Sequence, residues 1–394
     1  MSAGTTVGVR TPAGHLLDRA RTVAQTAAAH ADDVDQLARF PHEAVAAMRT
    51  HRLLSACAPT ADGGDGAALP DLLAVADTLA RACASTAMIW AMHQIQLACL
   101  TRHGHTPALR AVTRDVCTGQ LLLASATSEV GTGGDLRSSI AAVETHPAGR
   151  RITKQAATVS YGAHADGVLA TLRRSPDAAP GDQVLVLLLA AETTLEPLSG
   201  WDTLGMRGTC SGGFTLRADV DAERVLPDPF GDIAAQTMVP YSHLLWSACW
   251  LGLADAALDR ARQSLRRRAR KSPADAAPAV SRLAHVASRL AVTRSAVDAA
   301  ARHHTEPHTA EQAGSWPTAV GLNEIKYAAS QTAVEVTLEA LHLCGFAGYQ
   351  ERSALSVARH LRDALSAPLM ISNDRLLSTN GAILVSGKTI DRPW

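Results

Sequence analysis

The chain has 394 residues, enough for two or three structural units around a large core. Lys plus Arg balance Asp plus Glu at 37 each and aromatic residues make up only 4%, which argues against a nucleic-acid surface. No run of about 18 uncharged apolar residues offers a membrane span, and the start "MSAGTTVGVRTPAG" lacks the charged-then-apolar plan of a secretory signal. Seven cysteines without a C-x-x-C pair read as reduced thiols, mostly core filler, in a cytoplasmic protein.

From about 15 to 121 the texture is Ala-rich and helical, interrupted by the turn "APTADGGDGAALP". In "DVDQLARFPHEAVAAMRTHRLL", Val34, Leu37, Ala38, Val45 and Met48 recur at three- and four-residue steps, which predicts one apolar helical face. From about 122 to 230 short apolar runs alternate with Gly, Pro and Asp. "SSIAAVETHPAGRRITKQAATVSYG" predicts a hairpin around "HPAGR", and "GVLATLRR", "DQVLVLLLA" and "GGFTLRADV" predict further strands. After about 235, Leu245, Cys249, Leu253, Ala257, Ala261 and Leu265 step by four along a long helix. A second helix is expected from Ala274, a loop at "HHTEPHTAEQAGSWP", and another helix from near Asn323. Helices, then strands, then helices make an α+β order rather than an alternating βαβ one. The expected domains are 1–121, 122–231 and 232–394.

Four stretches, in order, resemble the acyl-CoA dehydrogenase family over nearly the whole chain. "LLSACAPTADGGDG", with Pro59 and Gly63-Gly64-x-Gly66, is similar to the family's turn after its second helix. "ASATSEVGTGGD" resembles the flavin-binding strand and loop, T-E-P-x-A-G-S-D in the family. "WDTLGMRGTCSGGFTLRADVDAERVL" resembles the G-x-R strand leading to the V-P turn, and "CGFAGY" followed by "ARHLRDA" resembles the G-G-x-G and R-D-A close. The resemblance implies an N-terminal helical domain, a middle β-barrel-like domain and a C-terminal four-helix bundle. It also implies bound FAD (FMN in some relatives) and a homotetramer or homodimer.

By the same resemblance, Ser128, next to Thr127, stands where the family has a Thr that hydrogen-bonds the flavin ring. The loop Gly131 to Gly134, with Gly133 and Gly134 at its end, lets the backbone approach closely because glycine has no Cβ; the plain alternative is a polar surface loop. Ser160 takes the hydroxyl position of the family's W-I-T/S motif, where it can donate to flavin N5, and Thr158 replaces the Trp. Arg268 falls where the R-x-x-F-G arginine meets the FAD pyrophosphate of a neighbouring subunit, a fork suited to phosphates. Lys271-Ser272 replace its Phe-Gly, and the alternative is a solvated basic helix end. Gly345 and Gly348 match the pyrophosphate-adjacent turn, with Phe346 for its middle Gly and His342 for its usual Gln.

A dehydrogenase of this family removes the α-proton of an acyl thioester with a Glu while the β-hydride passes to flavin N5. The two family positions for that Glu fall here at Ile371, with Met370 where a Tyr is common, and at Ser242. Neither is acidic. Asp374, one helical turn on, and His243, in place of an arginine beside the base, are the substitutes; each is otherwise a solvated, capping or packing residue. His93, on an apolar helix, is either a core residue or, with Ser160, part of the oxygen chemistry of the superfamily's monooxygenase branch, which "ARACASTAMIWAMH" resembles. The leading expectation is oxidation of an acyl thioester at Cα–Cβ, delivered on CoA or a carrier protein, with Ser242, Met370 and Ile371 at the substrate. Electrons would pass to an electron-transfer flavoprotein or O2. A flavin-dependent monooxygenase comes second and a non-catalytic flavin-binding scaffold third. No metal, nucleic acid or membrane is expected as a partner.

Overall fold

Five helices come first in the computed structural model, which describes residues 12–147, 149–305 and 310–386. They are α1 (Pro12–Gln36), α2 (His42–Thr50), α3 (Leu69–Ala82), α4 (Ala84–His103) and α5 (Pro107–Gly119). The break between α1 and α2 corrects the single apolar face expected across 34–48. Pro41 disfavours helix at the residue before it, so the pattern divides there. Val34, Val45 and Met48 are buried from two different helices, while Leu37 is 68% exposed and Ala38 turns with a φ of 49°. The turn expected at 58–70 is present, with a short helical piece at Thr60–Asp62. Helix α4 is buried on all sides, as a core helix must be.

The strands are β1 (Leu123–Ala126), β2 (Val143–His146), β3 (Gly149–Ala156), β4 (Gly167–Arg173), β5 (Gln183–Leu189), β6 (Thr193–Ser199) and β7 (Gly213–Val220). They form two sheets, β1-β4-β5 and β2-β3-β7-β6, in which only the β1–β4 pairing is parallel. The expected hairpin is β2–β3, in register Val143 to Ile152; Ala148 of its turn lies outside the described residues. Strand β6 was not expected. It carries Pro197 beside an irregularity in the ladder, and proline is tolerated there because β6 is a sheet edge.

Helix then returns as α6 (Phe230–Ile233), α7 (Val239–Lys271), α8 (Pro273–His303), α9 (Ala310–Ala313), α10 (Trp316–Cys344), α11 (Phe346–Tyr349), α12 (Ala358–Ala364) and α13 (Asn373–Val385). All six residues of the four-step on α7 are buried. Helix α10 starts seven residues before the expected Asn323, because Ser315 caps it by accepting from the Thr318 N–H and Pro317 sits in its first turn. Residues 1–11, and 306–309 of the expected loop, lie outside the described residues. The result is an α+β fold with an N-terminal helical region, central sheets and a C-terminal helical bundle. One core cluster runs through all three, including Trp90 of α4, Tyr161 after β3 and Trp250 of α7. None of the seven cysteines is bridged, and five of them are buried. Among the described residues no helix is long and apolar enough to cross a membrane.

Candidate functional site

Thr127 and Ser128 leave the end of β1, and Ser128 is stitched to Thr158 from after β3. Its Oγ donates to the Thr158 carbonyl at 2.7 Å and accepts the Thr158 N–H at 3.1 Å. The next residue, Glu129, is buried. It accepts the Ala141 N–H at 2.5 Å and pairs with the Lys154 ammonium at 3.2 Å; Lys154 also donates to the Thr171 carbonyl at 2.7 Å and hydroxyl at 3.2 Å. Burial lowers the Lys154 pKa, and the Glu129 charge opposes that. The Glu129 carbonyl takes the Thr132 hydroxyl at 3.1 Å, which closes the loop onto its pinned base. Beyond it Gly131, Gly133 and Gly134 all have positive φ, at 94°, 60° and 78°, a backbone path that disfavours any side chain. Arg375 of α13 donates to the Gly133 carbonyl at 2.7 Å and to the Gly134 carbonyl.

Ser160, half-buried, ends a row of hydroxyls. Thr209 and Ser211 lie 2.8 Å apart, and Ser211 donates to Ser160 at 2.8 Å. Among the described residues the Ser160 proton goes to no partner. The structure thus ties Ser128, after Thr127, to Thr158, two residues before Ser160, and Ser128 leads into the loop that carries Gly133 and Gly134.

His93, on α4, stands as the core residue that was one of its two readings. Its ring is fully buried, with Nε2 donating to the Leu54 carbonyl at 2.7 Å and Nδ1 accepting the Leu123 N–H at 2.9 Å. Both nitrogens are spent on backbone. Burial pushes its pKa down to about 4, so it is a neutral structural pin between the turn after α2 and β1.

The two base positions are equally plain. Ser242 donates back to the carbonyl of Met238, the residue before α7, at 2.6 Å. Ile371, a β-branched residue at a φ of 51°, offers only its carbonyl, which takes the Lys326 ammonium at 2.7 Å. Lys326 is fully buried on α10 and also donates to the Ala367 carbonyl at 3.0 Å and Asn373 Oδ1 at 2.8 Å; burial lowers its pKa to about 8. It therefore fixes the segment that carries Met370, which is half-buried against the core. Asp374 is exposed in the first turn of α13, where a carboxylate suits the helix dipole. His243 differs: it is buried with neither ring nitrogen hydrogen-bonded, although Asn323 and the Val239 carbonyl lie near. Burial, and then the Lys326 charge, hold its pKa at about 4.

Arg268, Gly345 and Gly348 form a second cluster. Arg268 donates to the Leu343 carbonyl at 3.3 Å, and Gly345 ends α10 at φ 63° and ψ −145°, which only glycine adopts without strain. His342 is exposed and lies 3.6 Å from Glu339, so it points to a neighbour on its own helix. A groove of about 660 Å³ opens elsewhere, lined by Asp35, Arg207, Glu351 and Arg362. Arg362 bridges Asp35 and Glu351 across it, Arg207 pairs with Asp202, and it shares no residue with either cluster. Sequence reading missed Glu129, Lys154, Ser211, Lys326 and Arg375. Lys154 alone left a clear signal: it takes an inward position of β3, between Ile152 and Ala156.

The family model described as acyl-CoA dehydrogenase, N-terminal domain, matches residues 14–120, and that of the C-terminal domain matches residues 231–370. No curated protein sequence matches the chain. Among solved structures, FMN-bound TdsC from Paenibacillus sp. A11-2, a dibenzothiophene monooxygenase, superposes with a TM-score of 0.83 at 21% identity, covering 96% of this chain and 99% of its own. A KijD3 in complex with FMN and a dTDP-linked sugar gives 0.82 at 21%, over 98% of this chain and 97% of its own. Butyryl-CoA dehydrogenase from Megasphaera elsdenii gives 0.80 at 21%, over 98% and 100%. With both terminal parts matched by its models and the whole fold shared, the chain belongs to the acyl-CoA dehydrogenase family.

Proposed function

We propose that the protein is a flavin-dependent oxidoreductase that works with reduced flavin and molecular oxygen, a monooxygenase built on this fold. The observation that carries the reading is the lack of a proton acceptor at either base position: Ile371 is aliphatic, and Ser242 spends its hydroxyl on the Met238 and Val239 carbonyls at the start of α7. Deprotonating a thioester α-carbon needs an aligned base. Ser160, by contrast, has a hydroxyl proton to give, and its Ser211 neighbour polarises it. Bound flavin would supply the electrons. Thr127, Ser128, Thr158, Gly133 and Gly134 would hold its ring side, and Arg268 with Gly345 and Gly348 would meet the nucleotide end of FAD on a neighbouring subunit of a homotetramer or homodimer. FMN lacks that end. It suits the departures Phe346 and Lys271-Ser272, and the FMN complexes of TdsC and KijD3 support it.

His243 favours a second reading, oxidation of an acyl thioester on CoA or a carrier protein. A buried imidazole held neutral keeps one ring nitrogen with a bare lone pair, a proton acceptor, though burial and Lys326 make it a weak one. Anaerobic mixing of the reconstituted protein with saturated acyl-CoAs separates the two. The flavin is expected to stay oxidised; rapid bleaching that is lost in His243→Gln overturns the oxygen reading in favour of the second.

A further inference from the structure

One contact joins α13 to the glycine loop. Arg375 on α13 reaches back across the chain to the glycine loop, where its two terminal nitrogens take the carbonyls of Gly133 and Gly134. A peptide unit is planar and trans, so its C=O and the following N–H point opposite ways. The Gly133 carbonyl faces Arg375, hence the Gly134 N–H faces away from α13. Among the described residues that N–H makes no hydrogen bond, while the next amide, of Asp135, is spent on the Thr132 carbonyl at 3.1 Å. The loop thus presents a free donor on the side opposite the arginine.

The mount of this clamp is stiff. Asn373, two residues before Arg375, is buried; its Oδ1 accepts from Lys326 at 2.8 Å and its Nδ2 donates to Ser330 at 3.0 Å. On the other side the loop is pinned at its base by the buried Glu129–Lys154 pair. Between these anchors the three left-handed glycines are free to adopt many paths, since glycine restricts the backbone least. A guanidinium across two successive carbonyls selects one path. It also draws electron density from both peptides, which strengthens the N–H they carry.

We propose that Arg375 is a positioning residue of the flavin site: by holding the Gly133 and Gly134 carbonyls it aims the Gly134 N–H at the bound flavin. The inference rests on the reading of this loop as flavin-binding. In this role Arg375 acts on the loop backbone rather than on the flavin itself. A lysine delivers one charge to one carbonyl but not the fork, so it replaces the arginine only in part.

The test reconstitutes wild type, Arg375→Gln and Arg375→Lys with FMN and separately with FAD, titrating by flavin fluorescence, and compares urea midpoints of the three apo-proteins. Arg375→Gln is expected to weaken binding of the preferred flavin on the order of 10- to 100-fold, as loss of two charge-assisted hydrogen bonds does. Arg375→Lys recovers part of that loss. The apo midpoints stay together, because the side chain is exposed. A dissociation constant for Arg375→Gln within twofold of wild type overturns the inference while leaving the flavin reading intact. So does a loss in both variants matched by an equal loss of apo stability, which marks a purely structural contact. Wild type that binds neither flavin overturns both.

Discussion

Lys154→Met is expected to destabilise the protein by about 3–5 kcal/mol, the usual cost of leaving one member of a buried ion pair alone. The Glu129 carboxylate would stay behind a closed surface with one partner, the Ala141 N–H, and the Thr171 carbonyl would lose its donor. The effect should reach the site, because Glu129 is the base from which the glycine loop departs. Replacing both partners, as Glu129→Gln with Lys154→Met, removes the stranded charge and keeps an acceptor for Ala141. It should regain about 2 kcal/mol over the single variant, within the range for truncating versus replacing such pairs. Urea titrations of the wild type, both single variants and the double variant measure this directly. Equal loss in the Lys154→Met and double variants would show that Glu129 is not buried as a charge.

Acid should destabilise the fold from about pH 6.5 downward, before most carboxylates titrate. His93 and His243 are buried with pKa values of about 4, and His360 is pushed well below the ordinary value by burial and then by Arg359. In the unfolded chain all three take protons near 6.5. Between those values the unfolded state binds the extra protons, so stability is full above 6.5 and is lost as the pH falls towards 4. For His93 and His243 the shift corresponds to about 3 kcal/mol each. Asp363 acts in the opposite sense: burial raises its pKa to about 6, so the folded form gains stability on taking up its proton as the pH falls below 6. Three histidines outweigh one aspartate. Urea midpoints stepped from pH 7.5 to 4.5 should hold to about pH 6.5 and fall below it, and His93→Gln should flatten that slope by up to about 1.4 kcal/mol per pH unit. An unchanged slope in that variant would mean that His93 is not held neutral.

The order of helices and strands was legible because burial imposes period: the four-step of α7 and the alternation of β3 are each written in consecutive residues. Pro41, Ser315 and Pro317 also carried boundary information, and the helix breaks at 41 and 316 follow from them. The glycine loop was legible through its composition, because a backbone that bends left-handed three times needs glycines there. What escaped was contact between distant segments. Arg375 meets residues more than two hundred positions away, and Lys326 is held by the carbonyls of Ala367 and Ile371, atoms every residue has. His93 shows the same limit. An imidazole on an apolar helix reads alike whether it serves chemistry or pins backbone, and only the positions of the Leu54 carbonyl and the Leu123 N–H decide it.

The most direct test of an oxygen-using flavoprotein follows its reduced form. Protein reconstituted with its preferred flavin is reduced chemically without air, mixed with oxygenated buffer in a stopped-flow cell, and followed across the near-ultraviolet and visible range. The predicted result is a separate absorbing species, distinct from reduced and oxidised flavin, that decays in a second phase and is lost in Ser160→Ala, where the unspent hydroxyl is gone. Reoxidation in one step, identical in wild type and Ser160→Ala, together with anaerobic bleaching by an acyl thioester, would contradict it.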